Sequence, residues 1–150
     1  MKYHRIYFTL LILLALSSLS LKSCRTEEPT VACFPSTPIN VTIDLNYPSY
    51  FNLQNVNGWI YLDEQQSGTK GLIIVNTGNG FKVYDRNAPH LCPDGDQTKL
   101  EVVDNIKIKC PKDQAEWILL TGQPTEVASI PPKTYPYNYN SNSKILSIYY

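Results

Sequence analysis

Residues Gly71–Asp85 read GLIIVNTGNGFKVYD. The first part, Gly71–Asn76, is a continuous run of aliphatic and β-branched residues of strand length, the composition of a strand buried on both faces. Thr77-Gly78-Asn79-Gly80 then supplies a tight turn of the kind that joins antiparallel strands, and Phe81–Asp85 returns. A phosphate-binding role for these glycines would need a helix opening after the turn, and none opens here.

The same grammar continues on either side. Asn40–Leu45 (NVTIDL) alternates apolar and polar residues, and Gly58–Leu62 (GWIYL) is a second short run. LEVV and IKIK flank Asp104-Asn105, a further hairpin signal, EWILL is followed by the turn TGQP, and KILSIYY closes the chain. No segment beyond Ile39 carries a helical period. The expectation is one small antiparallel all-β domain, a sandwich or barrel, over residues 39–150.

The beginning of the chain belongs to a different class. Met1–Arg5 is a short basic head, and Ile6–Leu16 is an apolar run that falls short of the roughly 20 residues of a spanning helix. Head, apolar middle and small polar residues make a secretory signal peptide. It ends in LKSC, Leu21–Cys24, which resembles the bacterial lipobox. That resemblance implies cleavage after residue 23 and a lipid on the Cys24 thiol. The partner it implies is a membrane, reached through acyl chains rather than a spanning helix. RTEEPT, just past Cys24, resembles the surface-export signal of Bacteroidetes lipoproteins. The expected location is the cell envelope, at the outer membrane. Residues 24–38, rich in proline and without periodicity, read as an extended tether.

Charge narrows the partners. The whole chain has 13 basic and 13 acidic side chains. Cleavage would remove Lys2, Arg5 and Lys22, leaving 10 basic side chains against the 13 acidic ones. With no basic patch beyond KIKCPK, nucleic acid is not an expected partner.

The stretch CPKDQAEWILLTGQP, Cys110–Pro124, resembles the second half of the Rieske iron–sulfur motif. Cys110, Pro111, Trp117, Thr121, Gly122 and Pro124 fall in the family's register. FKVYDRNAPH, Phe81–His90, resembles the first half, with His90 at the histidine position. Together the two halves resemble the Rieske-like lipoproteins of flavobacteria. The resemblance implies a Rieske-like β domain with two loops side by side at its tip. A two-iron, two-sulfur cluster needs two Cys and two His ligands. Ala88, His90, Cys110 and Asp113 stand at the four matched positions, and Gln114-Ala115 replaces the family's Gly-Ser. Ala88 supplies no donor atom, so the motif reads as degenerate and no cofactor is expected.

Three readings of the loop pair remain. In an exported protein, with Cys33 in the tether, the Rieske-like arrangement would set Cys92 beside Cys110 as a disulfide in place of the metal clamp. His90, Cys92, Cys110 and Asp113 would alternatively form a tetrahedral zinc set, the basis of a mononuclear metal-binding or redox function. Free thiols with an exposed His90 are the third. Pro93–Asp96 (PDGD) offers too few oxygens for calcium and reads as a turn. Tyr135, Tyr137 and Tyr139 share one side at strand spacing, as half-buried strand residues or as a surface for a protein or glycan. His90 is the one histidine after the leader, and no nucleophile–base pairing is supported, so catalysis is not expected. The expected role is structural or binding.

Overall fold

The computed structural model describes residues 30–150. The signal peptide expected over residues 1–23, the lipidated Cys24 and residues 25–29 of the tether lie outside the described residues. The domain is all-β and antiparallel. Its ten strands are β1 (Asn40–Asp44), β2 (Trp59–Leu62), β3 (Leu72–Asn76), β4 (Phe81–Asp85), β5 (Glu101–Val103), β6 (Lys107–Lys109), β7 (Glu116–Ile118), β8 (Pro124–Glu126), β9 (Tyr137–Asn140) and β10 (Ile145–Tyr149). They form three sheets, ordered β1-β10-β9, β2-β3-β4 and β5-β6-β7-β8.

The continuous apolar run of β3 is the middle of the molecule. Because strand side chains alternate, Leu72 and Ile74 enter one core with Val41, Ile43, Leu146 and Ile148 from β1 and β10. Ile73 and Val75 enter a second core with Ile108, Trp117 and Leu119 from the β6–β7 side. All four are fully buried. Each such side chain contributes about 1.5–3 kcal/mol relative to exposure, which is why this strand carries no polar alternation.

Turn chemistry holds as read. Gly78 and Gly80 take φ of 86° and 141° between β3 and β4. A side chain at Gly80 would meet the Tyr137 hydroxyl, which accepts the Phe81 N–H at 2.9 Å. Asp104 and Asn105 both have positive φ, 53° and 59°, the geometry of a type I′ hairpin joining β5 to β6.

Three features differ from the sequence expectation. Two short 3-10 helices occur, Pro48–Gln54 and Gly95–Thr98. The first begins on a proline, whose fixed φ suits a helix start, and its 7 residues, about two turns, are too few to impose a period. β8 begins on Pro124 at a sheet edge, where its missing N–H is tolerated. Residues 30–38 are not a free tether. Val31 N–H donates to Pro89 O at 3.0 Å, and Cys33 is disulfide-bonded to Cys92. Of the two readings of the tyrosines, the arrangement matches the half-buried one: Tyr135 is buried, and Tyr137 and Tyr139 pack on the first core with rings 5.8 and 5.0 Å from Phe81.

Candidate functional site

Two loops meet at one end of the second core. The first leaves β4 and is closed at its base by a short ladder. Leu100 N–H donates to Arg86 O at 2.7 Å and Ala88 N–H to Thr98 O at 3.1 Å. Its tip, residues 89–97, carries His90, Cys92 and Asp94. The second loop, residues 110–115, joins β6 to β7. Gln114 N–H donates to Cys110 O and Cys110 N–H to Ala115 O, both at 2.9 Å. Gln114 has φ of 67°, in the left-handed region that glycine favours. A residue other than glycine thus occupies a glycine conformation, and the Gln114 amide donates to Pro111 O at 2.8 Å.

Three contacts clasp the tips. His90 Nε2 lies 2.6 Å from Asp113 Oδ2. Lys112 Nζ donates to Asp94 Oδ2 at 2.6 Å. The Cys110 thiol points to Gln97 O at 3.9 Å. Burial pushes the Asp113 carboxyl up, but the His90 bond, the Ala115 N–H and the Cys110 thiol together bring it below its ordinary value. An ionised carboxylate only accepts, so His90 Nε2 carries the proton of this bond. His90 Nδ1 is buried without a hydrogen-bond partner among the described residues. The His90 ring lies 5.6 Å from that of Trp117, whose N–H donates to Ile130 O at 2.8 Å.

Ala88 is 1% exposed and Cys110 is wholly buried, both in the second core. Burial raises the Cys110 thiol above its ordinary pKa, and the Asp113 side chain adds to the rise. In its thiol form it is a poor nucleophile. An iron–sulfur cluster does not fit this arrangement. One matched position is a buried methyl with no donor atom, and the side chains at the two histidine positions bond directly to each other. Two donors on one tetrahedral metal, each about 2.0–2.2 Å from it, stand further apart than 2.6 Å.

The expected Cys92–Cys110 disulfide is corrected here. Cys92 is exposed and pairs with Cys33, with Cα atoms 5.4 Å apart, while Cys110 remains a free thiol in the core. The physical reason is access: Cys110 is sealed in the second core, whereas Cys92 lies exposed on the outer side of the first loop, where the equally exposed Cys33 reaches it. The zinc set of His90, Cys92, Cys110 and Asp113 is corrected with it, since the Cys92 sulfur is committed to the bond. Among the described residues, no three His, Cys, Asp or Glu side chains converge in a metal-holding group. His90 is also not exposed in the manner of the third reading, since its ring is held by Asp113. Asp94 and Asp96 of the PDGD turn pair with different lysines, Lys112 and Lys70.

Sequence reasoning missed the polar frame beneath the first loop. Asp85 is buried at the end of β4. It accepts the Tyr135 hydroxyl at 2.6 Å through Oδ2, and through Oδ1 the Asn87 backbone and amide N–H at 2.7 and 2.8 Å. Burial raises its pKa despite these donors and Lys133. Beside it, Arg86 stacks 3.7 Å from the Tyr61 ring centroid, donates to Leu100 O at 3.1 Å and pairs with Asp63 at 3.3 Å. The Asp-x-Asn spacing of residues 85–87 was a usable Asx-turn signal.

No protein-family model matches the chain, and no curated protein matches it. Among solved structures it is similar to the ferredoxin of carbazole 1,9a-dioxygenase from Nocardioides aromaticivorans IC177. The TM-score is 0.42 at 17% identity, over 75% of this chain and 97% of that one. It is also similar to a protein described as the small subunit of an NADPH nitrite reductase. There the TM-score is 0.39 at 12% identity, over 76% of this chain and 98% of that one.

Proposed function

We propose that the chain is an acyl-anchored envelope lipoprotein whose Rieske-like β domain works without an iron–sulfur cluster. Its role is structural or binding, toward a protein or glycan of the envelope, and neither catalytic nor electron-transferring. The observation that carries this reading is Ala88. At the position where the motif calls for a thiolate stands a methyl group, buried at 1% exposure in an apolar core. The His90–Asp113 bond supports it, because the side chains at the two histidine positions satisfy each other across the loops. The test is the iron, acid-labile sulfide and visible spectrum of the purified protein. The expected result is a colourless protein with no paramagnetic signal after reduction; stoichiometric iron and sulfide would restore an electron-transfer reading.

The anchor rests on LKSC at residues 21–24. Cys24→Ser should leave the membrane fraction and lose the acyl mass from its N-terminal peptide. Unchanged partitioning and unchanged mass would remove the lipoprotein part of the reading.

A further inference from the structure

The disulfide does something other than brace the core. Cys33 and Cys92 are both exposed, 59 residues apart in sequence. Residues 30–38 form no strand. Apart from the disulfide, their polar and ring contacts with the described domain are few: Val31 N–H to Pro89 O at 3.0 Å, and Lys133 Nζ 5.6 Å from the Phe34 ring centroid. The Phe34 N–H turns back onto Val31 O within the segment. From Ile39 onward the chain is held differently. Ile39 exchanges two backbone hydrogen bonds with Tyr150, at 3.3 and 2.9 Å, and its side chain is buried.

Ordering one residue's backbone costs about as much as a net hydrogen bond contributes. One hydrogen bond, one long cation–ring contact and the half-burial of Thr30, Val31, Phe34, Pro35 and Thr37, none of which is fully buried, therefore do not hold nine residues in place without a covalent link. We propose that Cys33–Cys92 is a reducible latch, a thiol–disulfide exchange site for a dithiol reductant, whose opening releases residues 30–38 from the His90 loop while the sheets stay folded.

The exchange balances in two steps. A thiolate of the dithiol attacks one sulfur of the pair, forming a mixed disulfide and expelling the other as a thiolate, which takes up a proton. The dithiol's second thiolate then displaces the remaining protein sulfur, which is protonated in turn, and the reductant leaves as a disulfide. Two electrons pass to the protein, and Cys33 and Cys92 end as thiols. The reductant must come from outside the domain, because Cys110 is buried and held neutral. Opening frees the stretch from Val31 to Ile39, which extends to at most about 27 Å at roughly 3.4 Å per residue. In the lipid-anchored reading above, on which this consequence alone rests, the domain's reach from the membrane grows by at most that length.

The test uses the full-length protein in detergent micelles, treated with dithiothreitol without denaturant. Maleimide labelling reads the thiols and hydrogen exchange reads the backbone. The expected result is labelling of Cys33 and Cys92 with Cys110 unlabelled. Exchange protection should fall by roughly tenfold or more over residues 31–38 and stay unchanged in β1, β3 and β10. Cys33→Ser should show the same released segment without reductant and no further response to it. The latch is overturned if the bond resists reduction until the protein unfolds. It is equally overturned if the reduced segment keeps its protection, or if the sheets lose protection together with it. None of these readouts depends on the lipid, whose failure would appear in membrane partitioning instead.

Discussion

His90 and Asp113 hold the two loop tips together through a 2.6 Å contact between Nε2 and Oδ2. They stand at the two positions where the resembled motif has histidines. An aspartate in place of the second imidazole turns what would be two ligands of one metal into a hydrogen-bonded pair. The clasp is a cross-link between the two loops made by a hydrogen bond.

That pair sets a pH dependence. The Asp113 carboxyl is held below its ordinary value of 3.8, so its contribution is fully present above that pH and is lost as pH falls through the native value. Asp113→Asn keeps an oxygen for the Ala115 N–H but removes the charge facing His90. A charge-assisted bond of this partly buried kind contributes about 1–2 kcal/mol. Urea unfolding at pH 7 should show Asp113→Asn less stable by that amount, with the gap closing toward pH 3. A gap that persisted undiminished in acid would mean the charge is not what the clasp uses.

Asp85 behaves in the opposite sense. Burial raises its native pKa above the unfolded value, so between the two values the native state holds more protons and stability falls as pH rises. The Tyr135 hydroxyl, 2.6 Å away, opposes that rise. Tyr135→Phe removes a donor to a buried carboxylate, a loss of about 1.5–3 kcal/mol at neutral pH. The variant should also lose stability more steeply than wild type as pH is raised from 4 to 7. Parallel stability–pH curves for the two proteins would contradict the assignment.

Local chemistry explains what the sequence made legible. The β3 run could be placed on both faces because alternation, or its absence, is written in neighbouring residues. Asp104-Asn105 announced a hairpin because these two residue types tolerate the positive φ that such turns use. The positions of Ala88, His90, Cys110 and Asp113 were readable from spacing, but the bond between His90 and Asp113 was not, since spacing says nothing about distance across loops. Cys33 was misread for the same reason. Nothing in its surroundings reveals that Val31 docks on Pro89. β8 escaped notice because three residues beginning on proline carry no pattern. Tyr135 finds Asp85 across 50 residues of chain, a pairing that only the fold creates.

Val127 presents a backbone cost that sequence does not show. It is exposed, with φ of 61°. A β-branched side chain in the left-handed region is a steric outlier, costing roughly 1–2 kcal/mol. Asparagine tolerates that conformation better. Val127→Asn should stabilise the domain by about 1 kcal/mol and raise its melting temperature by roughly 3–6 °C, as followed by circular dichroism. A lower midpoint would mean that the valine side chain contributes packing which outweighs its strain.

The most direct check on the proposed cluster-free reading is to complete the ligand set. Asp113→His restores an imidazole at the second histidine position and frees His90 from its carboxylate. Ala88→Cys supplies the missing thiolate opposite Cys110. His90 already has one ring nitrogen buried without a partner among the described residues. Each single variant still lacks one of the two Cys and two His ligands, so neither should hold a cluster. The double variant, reconstituted anaerobically with iron and sulfide, should turn brown with about two irons and two sulfides per chain. Reduction should then give a low-temperature paramagnetic signal that wild type and both single variants lack. Cysteine at position 88 adds a sulfur to a closely packed core, so circular dichroism must first show that the double variant keeps its sheets. A folded double variant that stays as colourless and iron-free as wild type would show that the tips do not hold these positions at cluster spacing, and the Rieske-like assignment of the motif would fall with it.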